Sequence, residues 1–322
     1  MMTRFLLTGG AGFIGSHFAE HLLRDETHDL WIVDNFDPFY DRGIKEANLN
    51  AIRTNPRARI REIDLTDRES LNKVMQEAQP EVIVHLAAKA GVRPSIEDPN
   101  GYVRANVVAW TELLQAAIEF DTKKVVFGSS SSVYGNSNVV PFSESDPVMK
   151  PISPYAATKR AGELIAHTFH HVHGLSIACL RFFTVYGPRQ RPDLAIHKFA
   201  RRILDDQPIT LFGDGTTSRD YTYIDDIVAG LFGSIAWLKE QESPAFEIFN
   251  LGNSTPCTLR DLVTGIEEAL QKEARIEWAG MQPGDVVRTF ADISRAQHLL
   301  GYDPKTDLPT GLARFAEWIK RT

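Results

Sequence analysis

The sequence predicts an α/β fold, a doubly wound parallel sheet with a smaller, discontinuous α/β lobe, and three observations carry that prediction. Short apolar runs alternate with helix-patterned segments from Phe5 to Arg181. A glycine-rich turn follows the first run directly. Beyond Arg181 the alternation breaks, and Gly, Pro and charged residues crowd together. A strand followed by a helix and then another strand folds back into one sheet by a right-handed crossover, so this rhythm reads as parallel strands.

Taken in order, strands are expected at Phe5–Thr8, Leu30–Asp34, Arg59–Ile63, Val82–Leu86, Val125–Ser129 and Leu175–Arg181. Helices are expected at Phe13–Arg24, Arg68–Ala78, Arg104–Phe120 and Pro154–His173. The last opens with Ser153-Pro154, an N-cap hydroxyl and a proline suited to the first helical position. The segments Gly187–Asp193, Phe212–Tyr223 and Met281–Arg288 read as binding loops on the smaller lobe. A return to the sheet is expected around Phe246–Gly252. The chain then divides into a first domain of residues 1–183 plus 222–254 and a second of residues 184–221 plus 255–322.

With 322 residues, 43% of them hydrophobic, the chain is long enough to bury a sizeable core. Its net charge of -7 and dispersed lysines and arginines argue against nucleic-acid or membrane-surface partners. A local basic pocket for a small anion is compatible with that balance. Cys179 and Cys257 form no disulfide or ligand pattern, and Cys179 sits in an apolar run. His17, His21, His28, His167, His170, His171 and His173 have helical spacing, but no carboxylate or cysteine set completes a metal site, so none is expected. No run approaches the ~20 apolar residues of a membrane span, and glycines interrupt the apolar N-terminus, so a cytoplasmic protein is expected.

Thr8-Gly9-Gly10-Ala11-Gly12-Phe13-Ile14-Gly15 joins the first strand to the first helix. Glycines at 9, 12 and 15 leave no Cβ where backbone would approach a pyrophosphate, and the helix N-terminus would point at its charge. This makes the predicted sheet Rossmann-type. Asp34, about 20 residues on at the end of the second strand, stands where a carboxylate binds ribose hydroxyls and repels a 2′-phosphate, which favours NAD over NADP. Asn35 accompanies it. Asp64-Leu65 would lie by the adenine, and Leu86-Ala87-Ala88 supplies small residues for a close cofactor wall.

Tyr155 and Lys159 stand at i and i+4, on one face of a helix. A phenol near its ordinary value of ~10 becomes a useful base when fixed cations favour the phenolate. Upstream, Ser129–Ser132 closes the fifth strand with hydroxyls.

This ordered set resembles the extended short-chain dehydrogenase/reductase family over essentially the whole chain. Tyr134-Gly135, Arg181–Pro188, Arg219-Asp220-Tyr221 and Pro283-Gly284-Asp285 look like its nucleotide-sugar epimerase and dehydratase branch. The resemblance implies that Tyr155 is the general base and that Ser130 bonds the reacting hydroxyl. Lys159 would hold the nicotinamide ribose and lower the Tyr155 pKa. Arg219 would clamp a diphosphate and Phe212 would contact a uracil. Dehydratases of the branch carry an acidic pair where this chain has Ser131 and Ser132, and decarboxylases carry a Glu there, which leaves reversible oxidation and epimerisation at carbon 4.

Asp34–Asp41, Ala90–Ser95 (with Arg93) and Arg191–Leu194 look most like UDP-glucuronate 4-epimerases. For a carboxylated sugar, Arg191, Thr184, Ser131 and Ser132 are the candidate carboxylate donors. Lys89, and Arg189-Gln190 before Arg191, depart from the usual neutral Gln and Trp-Gly. These cations suit an acidic sugar or mark a shift to a neutral or N-acetylated UDP-hexose. A dehydratase and a non-catalytic NAD-binding module are the other readings. Arg104–Phe120, apolar around much of its circumference, is expected to join Pro154–His173 in a four-helix homodimer interface.

Overall fold

A computed structural model of the chain describes residues 3–280 and 286–322. Its strands, in chain order, are β1 (Thr3–Thr8), β2 (His28–Asp34), β3 (Ala58–Glu62), β4 (Val82–His85), β5 (Lys124–Ser130), β6 (Ser176–Phe182), β7 (Thr184–Tyr186), β8 (Ile209–Phe212), β9 (Ser218–Tyr223), β10 (Phe246–Leu251), β11 (Pro256–Thr258) and β12 (Ile276–Ala279). Seven of them form one parallel sheet in the order β10-β6-β5-β4-β1-β2-β3. The return to the sheet expected near Phe246 is its edge strand.

Both faces of this sheet are covered, so its strands are apolar at successive positions. Phe5, Leu7, Leu30, Ile32, Val82 and Val84 pack on one side with Phe18, Leu22 and Ile227. Leu6, Trp31, Val33, Ile83, Val125 and Phe127 pack on the other with Leu71, Val74, Trp110 and Leu113. Side chains alternate in direction along a strand, and burial on two faces needs both sets to be hydrophobic. Burying one such Leu or Phe contributes about 2 kcal/mol.

Strand order reverses between β1 and β4, and ligands of open α/β sheets bind beyond the strand ends at such a reversal. The smaller lobe carries β11-β9-β7 and the pair β12-β8. Here the structure corrects an expectation. Phe212–Tyr223 is not all loop: Ser218–Tyr223 is a strand, pairing parallel to β7 and antiparallel to β11. Its polar spelling is misleading because Asp220 is fully buried, accepting hydrogen bonds from the backbone N–H groups of Asn253, Ser254 and Ala291. The helix expected from Arg104 also starts earlier. Helical backbone begins at Pro99, passes through one π-turn at Arg104–Val108 and continues to Glu119. Such wide turns gather at functional sites.

Candidate active site

Beyond the strand ends lies a cavity of about 700 Å³, within the range of small-molecule sites. Its first wall is the glycine turn. Gly9 has φ +75°, and a Cβ there would come 2.6 Å from the Ala87 nitrogen, so the turn and the Leu86–Ala88 segment lie backbone against backbone. A Cβ on Gly15 would strike the Gly9 carbonyl oxygen. Gly12 caps the helix Phe13–Leu22 and lines the cavity with Phe13, Ile14 and Gly15. First-turn N–H groups have no carbonyl one turn back to bond, so they suit an anion.

Asp34 is buried and does two things at once. Its carboxylate accepts from the backbone of Ala11 at 3.0 Å and Phe36 at 2.9 Å, locking the glycine turn to the end of β2. It also borders the cavity beside Asn35, whose amide donates to Asp64 at 3.2 Å; Asp64 and Leu65 continue this wall. Burial raises the Asp34 pKa, opposed by the Phe36 hydrogen bond and by the Lys45 charge. These residues fit a dinucleotide: N–H groups for its phosphates, carboxylates for ribose hydroxyls, and a flat wall at Leu86, Ala87 and Ala88.

The opposite wall carries the reactive groups. Ser153 caps the helix Pro154–His173 by accepting from the Ala156 N–H at 3.1 Å. That placement brings half-buried Tyr155 to the cavity, where the edge of Tyr102 packs on its ring. Ser130, at the end of β5, hydrogen-bonds Tyr155 and accepts from the Ser132 hydroxyl at 2.9 Å. Burial raises the Tyr155 pKa, while the Ser130 hydrogen bond and then the Arg191 charge oppose the rise. Lys159 is buried and donates to the Gly128 carbonyl at 2.7 Å; burial lowers its pKa to about 8.

Arg191, Thr184, Ser131, Ser132 and Arg219 all line the cavity. Two of the expected substrate residues do not. Arg93, on the short helix Val92–Glu97, places its guanidinium 5.0 Å from the centre of the Phe212 ring, and the two contact each other outside the cavity wall. Asp285 lies outside the described residues. The unusual cations are also explained. Lys89 pairs with Asp98 at 3.1 Å, and Arg189 makes a two-pronged ion pair with Glu20 at 2.6 and 2.9 Å. Both are held by the chain's own carboxylates.

Phe39, Tyr40, Lys45 and Arg104 are cavity residues that sequence reading did not single out. The first two lie within the run Asp34–Asp41, so a signal was present. Asn106 had none. At the π-turn its side chain accepts from the Lys89 N–H at 2.8 Å, and donates to the Lys89 carbonyl at 2.9 Å and to Thr158 at 3.0 Å. It thereby ties the cofactor wall to the Tyr155 helix. Among the described residues the cavity is lined by Lys45, Lys89, Arg104, Lys159, Arg191 and Arg219 against Asp34, Asp37 and Asp64. An acidic protein thus encloses a basic cavity, suited to a ligand bearing several negative charges.

Comparison with known proteins agrees with this geometry. Residues 5–252 match the NAD dependent epimerase/dehydratase family. The chain belongs to this family. It is 39% identical over 320 residues to the UDP-glucuronate 4-epimerase of Thermodesulfobacterium geofontis, covering 99% of this chain and 97% of that one. A crystal structure of the UDP-glucuronic acid 4-epimerase of Bacillus cereus, in complex with UDP-glucuronic acid and NAD, superposes with a TM-score of 0.92 at 36% identity, covering 99% of each chain. UDP-glucose 4-epimerase of Thermotoga maritima, solved with UDP-glucose, superposes at 0.89 with 31% identity and covers 98% of each chain. Membership brings NAD as the family's cofactor, and the glycine turn, Asp34 and the Leu86–Ala88 wall are the groups that fit it. Among the described residues no helix is long and apolar enough to cross a membrane.

Proposed function

We propose that this chain interconverts UDP-glucuronate and UDP-galacturonate by epimerisation at carbon 4. The observation carrying this reading is the guanidinium of Arg191 lining the same cavity as Tyr155, Thr184 and the hydroxyls of Ser131 and Ser132. When bound, NAD supplies a reversible hydride acceptor. Tyr155 takes the proton of the sugar's 4-hydroxyl, and Ser130 holds that hydroxyl in line. Lys159 binds the nicotinamide ribose. Arg219, which lines the cavity, would clamp the diphosphate. A proton on Ser131 or Ser132 is not available at neutral pH as it is on a carboxylic acid, so the site lacks the groups that would expel a hydroxyl.

The 4-keto form of a uronic acid is a β-keto acid. It loses CO2 when the bond to the carboxylate lines up with the carbonyl π system. Hydrogen bonds from Arg191 and the neighbouring hydroxyls hold the carboxylate away from that alignment. We assign residues 1–183 plus 222–254 to the cofactor domain and the remainder to the sugar-binding lobe.

The test is incubation with UDP-glucuronate and, separately, UDP-glucose, with the sugar products read by proton NMR. UDP-galacturonate formed without CO2 release supports the assignment. Turnover of UDP-glucose alone keeps the reaction and removes the carboxylate role of Arg191. We also propose a homodimer through the helices at Pro99–Glu119 and Pro154–His173, because Val103 (45%), Val108 (43%), Leu164 (54%) and Val172 (62%) stay exposed on them. Light scattering at micromolar protein should give twice the chain mass, and Leu164→Asp should halve it.

A further inference from the structure

We infer that Asp193 sets the turnover and specificity of the site by occupying one edge of the Arg191 guanidinium, so that the sugar carboxylate is held by only part of that group's hydrogen-bonding capacity. The inference rests on the UDP-glucuronate reading above. The geometry is specific. Nε and Nη2 of Arg191 donate to the two carboxylate oxygens of Asp193 at 3.0 and 2.8 Å. A guanidinium has five N–H groups, so this leaves three, arranged along its Nη1–Nη2 end. One face lies 5.4 Å from the centre of the Phe39 ring. Arg191 lines the cavity, whereas Asp193 does not. The ligand therefore meets the open end of a cation already compensated behind.

The loop around this pair is held independently of any ligand. Buried Gln190 donates to the Val185 carbonyl at 3.0 Å. Arg189 grips Glu20 on the first helix, and neutral His17 of the same helix donates to the Pro188 carbonyl at 2.9 Å. Asp193 is thus not needed to keep the loop in place. What it changes is the strength of the Arg191 grip.

That strength matters because epimerisation requires two opposite faces of the 4-keto sugar to meet one fixed cofactor. The sugar must turn within the site, and the carboxylate on carbon 5 must leave its donors and be recaptured. A guanidinium with all five N–H groups and its full charge free would bind substrate, intermediate and product alike more tightly. Such uniform binding lowers KM and slows every step that needs release. Asp193 is a positioning residue in this scheme, acting through Arg191 and touching no substrate atom.

The experiment compares wild type, Asp193→Asn and Asp193→Glu with UDP-glucuronate and UDP-galacturonate as substrates, measuring KM and kcat separately. The amide keeps size but lacks the compensating charge. Asp193→Asn should lower KM about tenfold in both directions, the increment of one charge-assisted hydrogen bond, and lower kcat by a similar factor. A larger fraction of the enzyme should also show reduced-nicotinamide absorbance during turnover, because the keto sugar turns more slowly. Asp193→Glu should restore both constants toward wild type.

A rise in KM with kcat unchanged or lower would overturn the inference and make Asp193 a brace for Arg191. Unchanged constants would overturn it too. Melting temperature and bound NAD content establish that each variant folds, and Asp193→Ser serves if the amide variant does not. Failure of the underlying reading looks different: the wild type itself would leave UDP-glucuronate unconverted.

Discussion

Replacing Glu163 with Gln should destabilise the fold by about 3–5 kcal/mol, because it strips the charge from one half of a buried ion pair. Glu163 and Arg181 are each 1% exposed. Arg181 donates to both Glu163 oxygens at 2.8 and 2.9 Å, Ser129 donates to one at 2.6 Å, and Arg160 to the other at 3.0 Å. The glutamine side chain accepts at one oxygen only, and its NH2 faces donors. The Arg181 charge then stays buried without compensation. With an unfolding entropy near 2.1 cal/mol/K per residue, 322 residues give about 0.7 kcal/mol/K, so the melting temperature should fall by roughly 4–7 °C.

The pH dependence of that loss follows from the direction of the Glu163 shift. Burial alone would raise its pKa, but the hydrogen bonds and charge of Arg181, with Ser129 and Arg160, hold it below the usual carboxylate range. A depressed folded-state pKa means stabilisation that is fully present above the unfolded value near ~4.3 and lost as pH falls through the folded value. The gap between wild type and Glu163→Gln should be constant at neutral pH and narrow only in acid. Urea unfolding at pH 7 and at pH 4 reads both quantities. A loss under about 1 kcal/mol at pH 7, or a gap that widens in acid, would refute the reasoning.

Tyr155→Phe keeps the ring packed on Tyr102 but removes the phenol, so epimerisation measured by NMR should fall about 10²–10⁴-fold with NAD content unchanged. Retention of a tenth of the activity would point to another base. Gly15→Ala drives a methyl onto the Gly9 carbonyl oxygen and should abolish NAD retention and lower the melting temperature, whereas Gly280→Ala, with nothing among the described residues within 4 Å, should leave both unchanged. Equal behaviour of these two alanine variants would discredit the close-packed phosphate turn.

Much of the fold was legible because both faces of the central sheet are buried. Continuous apolar runs such as Val82–Val84 and Leu30–Val33 can be satisfied in few other ways, and the glycines between strand and helix name their own turn. Elements whose pattern is set by tertiary partners were not legible. Ser218–Tyr223 reads as a loop until Asp220 is seen sealed among three backbone N–H groups. The early start of the Pro99–Glu119 helix is itself local, since Asp98 caps it by accepting from the Gly101 N–H and Pro99 takes its first position, but its π-turn lies where Asn106 bonds across space to Lys89 and Thr158.

The same division runs through the site. By itself the sequence determined which groups are present: a glycine turn between strand and helix, a carboxylate at Asp34 at the end of the second strand, a phenol and an ammonium one helical turn apart, and a run of hydroxyls closing the fifth strand. Those follow from local backbone geometry and from residue type. Only the tertiary structure decided which charges are available to a ligand. It paired Lys89 with Asp98 and Arg189 with Glu20, set Arg93 against the Phe212 ring, and left Arg191 lining the cavity with Asp193 bound to one edge of its guanidinium. A cation is worth what its nearest carboxylate leaves of it, and that distance is not written in the order of residues.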